Sequence, residues 1–374
     1  MKQWLETRQV FDTLAAWHTD GVACALATVV RVRGSAYRHE GAKLVVAADG
    51  RYVGNVSGGC LEADVREVAL RVIASGIAER RQYCGGSDDV RAWDLGVGCE
   101  GTVDVLIEPV TTARAAERAA LAAGEAFVAC TRLRPGTDIA PDAGAPPRRI
   151  VVAGRGSQGA HGSLGDAALD ADADAAAVGW LADGRSRLVA HGDIELFVDV
   201  LLPAPRLVIC SAGDDARLVA RLADEVGFRT VVADRRPALL APERFPVSVR
   251  RIECDATTLA EHLVLTADDH AVVMTHDFAD DTGWVRALLA TPVRYLGVLG
   301  PRARTARIVA ALAREGVMVD PSRLYAPVGL DIGTDGAEQV ALAIVAELLA
   351  VRSGRRPISL RERRAPIHAA EVAR

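Results

Sequence analysis

The sequence predicts an α/β chain in which an N-terminal mixed α+β domain precedes a doubly wound parallel sheet domain. Three observations carry that prediction. The chain has 374 residues, half of them apolar, which is more than one hydrophobic core ordinarily serves. Beyond Pro203-Ala204-Pro205, strand-length apolar runs alternate with segments of helical spacing, the rhythm of repeated βαβ units. Ahead of that break, helical segments alternate with shorter strands, one pair joined by a turn of hairpin chemistry. Aromatic residues make up only 4%, so both cores are expected to be packed with small aliphatic side chains.

Taken in order, Leu5, Val10, Leu14 and Trp17 lie at helical spacing between Gln3 and His18, and Asp20-Gly21 ends the pattern. Ala23 to Val32 and Ala42 to Ala47 read as strands, and Ala48-Asp49-Gly50 turns the second towards Tyr52. A helix is expected from Leu61 to Ile73, a strand from Val103 to Ile107 and a helix from Ala113 to Ala123. Arg134 to Pro147 collects proline, glycine and aspartate and reads as a loop within the first domain. Arg149 to Ala153, a helix from Asp166 to Leu181, and Ile194 to Leu201 continue the small-sheet architecture. After the break come Leu207 to Cys210, a helix from Asp214 to Val226, and Thr230 to Ala233. Val249 to Ile252, Ala271 to Met274 and Tyr295 to Leu299 follow as strands, with helices at Trp284 to Leu289, Ala303 to Ala313 and Ala337 to Val351. The second domain is therefore Rossmann-like. The expected boundaries are 1–203, 206–353 and a basic tail at 354–374, and no internal repeat is visible.

Composition narrows the function classes. A net charge of -5 with few aromatic residues argues against a nucleic-acid partner, which needs a positive field and stacking platforms. No apolar stretch reaches the roughly 20 residues that cross a bilayer, so no membrane partner is expected. Seven unevenly spaced cysteines do not form a disulfide ladder, and Met1-Lys2-Gln3-Trp4 opens without a signal-peptide pattern. A cytoplasmic chain with reduced thiols is the expectation.

Two cysteines stand in glycine-rich turns. In Ser57-Gly58-Gly59-Cys60-Leu61-Glu62 a helix begins just after Cys60, and unpaired backbone N–H groups at a helix start favour a thiolate. Gly58 and Gly59 remove side-chain bulk and admit a ligand to the backbone. A reactive ligand and a small buried hydrophobe are both compatible with Cys60. Gly96-Val97-Gly98-Cys99-Glu100-Gly101 repeats the theme, and Cys84-Gly85-Gly86 lies between the two. None of these spacings pairs as zinc ligands do. Cys24, Cys130, Cys210 and Cys254 stand in apolar strand-like contexts and read as packing residues. Gly34 to Lys43 places Arg38 and Lys43 where they suit a phosphate, or simply an exposed hairpin connection.

In the second domain, Cys210-Ser211-Ala212-Gly213-Asp214-Asp215 is a strand-to-helix turn, with Asp234 ending the next strand as a ribose-binding acid would. The full G-x-G-x-x-G is absent, because Ser211 and Ala216 stand at its outer glycines, and Asp214 and Asp215 repel a pyrophosphate. NAD(P) is therefore not expected, and an NAD(P)-dependent oxidoreductase is the weaker alternative. Thr275-His276-Asp277, Gly297 to Arg302 and Pro327 to Gly333 lie at later strand ends, where ligands of open α/β sheets bind.

Gly34-Ser35 with Gly41-Ala42-Lys43, Ser57 to Glu62, Cys99 with Glu108-Pro109, Thr275-His276-Asp277, and Pro327-Val328-Gly329-Leu330-Asp331-Ile332-Gly333 together resemble the XdhC/CoxI family over nearly the whole chain. The resemblance implies a maturation chaperone rather than an independent enzyme. Such a protein binds the molybdenum cofactor (molybdopterin), assists its sulfuration beside a cysteine desulfurase, and inserts it into the apo large subunit of a xanthine-dehydrogenase-type or carbon-monoxide-dehydrogenase-type molybdenum hydroxylase. It also admits a homodimer. Carried over residue by residue, Cys60 and Cys99 become the sulfur relay points or molybdenum ligands. Ser57, Gly58, Gly59, Glu62, Arg38 and Lys43 become cofactor-binding positions, with Arg38 and Lys43 for the pterin phosphate. Gly213, Asp234, His276, Gly329 and Asp331 are the corresponding positions in the second domain. Glu100 and Ser211 depart from the glycines usual in the family.

Overall fold

The structure, a computed structural model, describes residues 2–34, 36–84, 101–111, 114–133, 149–153 and 160–364. Cys99 and the loop expected at Arg134 to Pro147 lie outside the described residues. The chain divides into two compact units, Lys2–Pro203 and Ala204–Arg374. No described helix is long and apolar enough to cross a membrane.

The first unit opens with α1 (Lys2–Thr19), β1 (Cys24–Arg33), β2 (Lys43–Ala47), β3 (Tyr52–Gly54), α2 (Glu62–Ser75), β4 (Glu79–Cys84) and β5 (Thr102–Pro109). The five strands form an antiparallel sheet in the order β3-β2-β1-β5-β4. Next come α3 (Ala115–Ala123), β6 (Phe127–Leu133), β7 (Arg149–Ala153), β8 (Ala160–Ser163), α4 (Ala167–Asp183), β9 (Arg187–His191) and β10 (Ile194–Leu201). They build a second antiparallel sheet in the order β8-β7-β6-β10-β9. Among the described residues, helix, three strands, helix and two strands thus occur twice with the same strand order. The sequence reading found no repeat because the two copies share placement and pairing, while their side chains differ.

Each sheet carries its own helix on one face. Val65, Val68, Ala69 and Val72 of α2 pack with Ala25, Ala27 and Val29 of β1, while Leu169, Ala173 and Ala177 of α4 pack with Val128, Cys130 and Val198. The remaining faces meet, and there Val30 and Leu106 of the first sheet join Leu133 and Phe197 of the second. The same contact holds buried ion pairs, some crossing between the sheets and one, Arg80 with Asp104, lying within the first. Lys43 Nζ lies 2.6 Å from Asp199 Oδ2, and the Arg80 guanidinium reaches Glu195 at 2.7 Å and Asp104 at 2.8 Å. Arg31 adds a second bond to Glu195 at 2.5 Å.

The second unit runs β11 (Arg206–Cys210), α5 (Asp214–Glu225), β12 (Arg229–Asp234), β13 (Arg250–Glu253), α6 (Leu259–His262), β14 (His270–Val273), α7 (Phe278–Leu289), β15 (Tyr295–Val298), α8 (Arg302–Arg314), β16 (Leu324–Tyr325) and α9 (Ala337–Ser353). All described pairings are parallel, in the order β13-β12-β11-β14-β15-β16. This is the doubly wound topology with its reversal between β11 and β14. The period-two alternation of a strand divides β11 between two cores. Leu207 and Ile209 join α5 and α9 on one face, and Val208 and Cys210 join α7 and α8 on the other. Helix α7 starts at Phe278, six residues earlier than the sequence predicts, because the Asp277 carboxylate caps the amides of Ala279 and Asp280.

Both interiors lend themselves to measurement. Removing one member of a buried ion pair strands the other, so Lys43→Met is expected to cost about 3–5 kcal/mol in urea unfolding, with Asp199→Leu added on top recovering much of the loss. Simple addition of the two single losses would rule out the pair as a unit. His270, 2% exposed, lies between the rings of Phe228 and Tyr295, and desolvation, helped by Arg294 and Arg352, lowers its pKa from 6.5 to about 4. The unfolded imidazole binds the proton first, so this contribution is complete above about 6.5 and is lost as pH falls through about 4. His270→Phe should flatten the stability profile in that window by on the order of 3 kcal/mol, measured by denaturation at stepped pH.

Candidate functional site

The turn between β3 and α2 is held from inside. Glu62, the first residue of α2, points back along the chain, and its Oε1 accepts the amides of Val56 at 3.1 Å and Ser57 at 2.8 Å. The Ser57 hydroxyl donates to Glu62 Oε2 in a short bond, while Ser57 Oγ accepts the amides of Gly59 and Leu61, both at 3.1 Å. Burial works to raise the Glu62 carboxyl, but the Ser57 hydroxyl and these backbone donors outweigh it and hold the group below its usual range. Gly59 has a φ of 112°, a conformation that disfavours any side chain, and a Cβ there would meet nothing within 4 Å. Open space therefore adjoins the turn.

Cys60 is half-buried, with its thiol 3.7 Å from Ser57 Oγ. The amides of Gly59 and Leu61, on either side of the thiol, turn onto Ser57 Oγ. Cys60 makes no helix cap either, since α2 begins without a side-chain cap.

The second copy of the repeat gives a comparison within the same molecule. Between β8 and α4 the Ser163 hydroxyl donates to Asp170 Oδ2 at 2.7 Å, the Leu164 amide donates to Asp170 Oδ1 at 2.7 Å, and the Gly165 amide donates to Ser163 Oγ at 2.9 Å. Gly165, like Gly59, has a positive φ. A serine, a left-handed glycine and a carboxylate from the following helix therefore brace both turns. The second turn ends in an ordinary helix cap, Asp166, which accepts from Ala168 and Leu169. The first is one residue longer before its cap and carries the glycine pair and the thiol. The brace explains Ser57, Gly59 and Glu62; Cys60 stands outside it and packs partly against the core under α2.

Other predicted positions fall partly nearby. A Cβ at Gly58 would sit 3.4 Å from the Tyr37 ring, so the Gly34–Gly41 segment and the cysteine turn converge through Tyr37, which is 69% exposed. Arg38 and Lys43 look elsewhere. Arg38 bonds to Glu6 of α1, and Lys43, far from the exposed connection considered from sequence, is buried on Asp199 and the Gly41 carbonyl. The Tyr83 hydroxyl donates to Asp64 in the first turn of α2 at 2.6 Å, placing the end of β4 at the same end of α2 as Cys60. Cys84, paired with Thr102 across β4 and β5, is exposed there. Sequence reasoning passed over Tyr37, whose signal was an aromatic in a glycine-flanked segment of a chain holding only five tyrosines. It also gave Cys84 too little weight.

The remaining described cysteines are inert. Desolvation pushes the thiols of Cys24 and Cys254 up to about 11 and that of Cys130 to about 12, and it raises Cys210 well above its usual value. Among the described cysteines, Cys84 is exposed, Cys60 is half-buried and the other four are buried.

In the second unit the predicted residues do not share one site. Asp234, with Ser211 and Thr275, lines a cleft of about 220 Å³ at the carboxyl ends of β11, β12, β13 and β14. The Gly213 amide turns onto Ser211 Oγ at 3.2 Å. His276, at a φ of 63°, sits 3.1 Å from Asp215 Oδ2. Gly329 packs against α9, its amide donating to Glu347 at 3.0 Å, and Asp331 is exposed beyond it.

Comparison with known proteins matches both units. Residues 207–348 match the XdhC Rossmann domain family, and residues 17–83 match the XdhC and CoxI family. The chain is 30% identical over 347 residues to a probable xanthine dehydrogenase subunit of Bacillus subtilis (strain 168), covering 89% of this chain and 94% of that one. It is 23% identical over 334 residues to the molybdenum cofactor insertion chaperone PaoD of Escherichia coli (strain K12), covering 89% and 84%. A crystal structure described as a xanthine dehydrogenase from Bacillus halodurans superposes with a TM-score of 0.75 at 28% identity, covering 93% of this chain and 97% of that one. With the same fold from end to end and both halves matched, the chain belongs to the XdhC and CoxI family.

Proposed function

We propose that this protein is an accessory factor for a xanthine dehydrogenase that takes up the molybdenum cofactor as cargo and hands it to the apo large subunit of a molybdenum hydroxylase. Sulfuration of the cargo beside a cysteine desulfurase, service to a carbon-monoxide-dehydrogenase-type enzyme and a cytoplasmic location belong to the same proposal. Family membership and the likeness to a cofactor insertion chaperone support it.

The observation that carries the reading is Cys60, a solvent-reached thiol beside open space at Gly59, on a turn whose rigidity does not depend on it. Soft sulfur suits a molybdenum centre, and a thiol that stands outside the hydrogen-bonded brace can bind and release its cargo without undoing the turn. Ser57 and Glu62 act by fixing where the thiol stands. Cys99 is the second thiol of the proposal. Arg38 and Lys43 are already engaged by Glu6 and Asp199, so their part here is to hold the framework.

The test is to purify the protein from cells that make the cofactor and to assay bound molybdenum and pterin. Wild type should retain both, and Cys60→Ala should retain roughly tenfold less. Unchanged retention in the variant would count directly against the proposal. Thiol labelling at neutral pH with peptide mapping should modify Cys60 and Cys84 ahead of Cys24, Cys130, Cys210 and Cys254. A Cys60 as slow as those four would point to an inert scaffold.

A further inference from the structure

The cleft in the Rossmann unit has a composition at odds with the ligand its topology brings to mind. It opens at the reversal of strand order, where doubly wound sheets bind nucleotides. Its inner wall is apolar, formed by Ala233, Cys254, Ala256, Gly283 and Trp284. Asp234 stands at the end of β12, where such folds place the acid that takes ribose hydroxyls.

The means of holding a diphosphate have been removed. The Ala212 amide donates to Asp234 at 2.7 Å and the Gly213 amide to Ser211 at 3.2 Å, so the turn amides point at protein oxygens. Asp214 and Asp215 occupy the first turn of α5, where phosphate would need the positive helix end. Around the cleft, the carboxylates of Asp234, Asp255 and Asp280 face the guanidinium groups of Arg235 and Arg236, leaving the lining net negative. At about 220 Å³ the cleft lies below the roughly 300–1,000 Å³ typical of small-molecule and cofactor sites, which disfavours a dinucleotide most of all.

We propose that this cleft binds a neutral nucleoside by its base and ribose, with no contribution from a diphosphate. The base lies against the Ala256 and Trp284 wall. The ribose hydroxyls go to Asp234, whose four acceptor positions are filled by Ala212 and Arg236. Arg236, with its side chain 48% exposed, is the removable cover: its guanidinium swings to solvent as the diol takes its place. The assignment is independent of Cys60 and of the cargo proposed above.

Calorimetric titration of the full chain with adenosine, cytidine, their 5′-monophosphates, ADP and NAD+ tests it. At least one of the two nucleosides should bind, and adding a 5′-diphosphate should change its affinity by no more than about threefold, since no cradle receives it. ADP or NAD+ binding about tenfold more tightly than adenosine would overturn the proposal, as would the absence of binding by both nucleosides at millimolar concentration. Gly283→Leu places a side chain in the cleft at a helical position where leucine is favoured over glycine, so the fold should hold while nucleoside binding is lost. If its thermal midpoint falls, Ala256→Leu fills the same space from the adjoining position. Full nucleoside binding by a folded, cleft-filled variant would also overturn the assignment.

Discussion

The first unit depends on a set of charges buried where its two sheets meet. Lys43 of one sheet and Asp199 of the other are each nearly out of solvent, as is Arg80 opposite Asp104. Docking the sheets takes these groups out of water, and that desolvation is tolerable only where an opposite charge meets each of them. Docking supplies Asp199 for Lys43 and Glu195 for Arg80, while Asp104 meets Arg80 within its own sheet. The arrangement also fixes register, because sliding one sheet by a residue would leave ammonium and carboxylate buried and unmatched. Nearby, desolvation raises the carboxyls of Glu108 and Glu117 even with Arg114 beside them, which marks the same region as strongly water-excluding.

Much of this fold was legible in the sequence. Helices α1, α2, α4 and α9 and the main strands of the Rossmann unit are announced by apolar periodicity and by glycine, proline or aspartate at their ends, since the forces that form them act within a few residues. Strands β4, β8, β9 and β16 are not. Glu79–Cys84 reads ERRQYC, a polar string that becomes a strand because Arg80 and Gln82 find Asp104 on β5. Such pairing is settled across the sheet, and no local pattern encodes it. The duplicated order of elements stayed hidden for a related reason: topology is shared between the copies through backbone pairing, which many sequences satisfy.

The candidate site was legible in its types and less so in its mechanics. Ser57, Gly59, Cys60 and Glu62 form one turn, as their spacing implies, while the amides on either side of the thiol serve Ser57. Lys43 shows the limit from the other side. A lysine beside glycines suggests a solvent-facing grip on anions, whereas its partner, Asp199, lies 156 residues away and emerges only when two sheets come together. In the Rossmann unit, Asp234 was placed correctly at its strand end, while its occupation by Arg236 and Ala212 depends on side-chain directions that composition does not carry.

The paired turns have a consequence for how this architecture can change. Because the serine–glycine–carboxylate brace stands intact at Ser163 with no sulfur present, chemistry and scaffold are separable modules. A descendant could lose the reactive atom at position 60, or acquire one at the sister bend, without having to reinvent the loop that would display it. The molecule thus holds a second mounting point, already shaped, in which selection has so far installed only a helix cap.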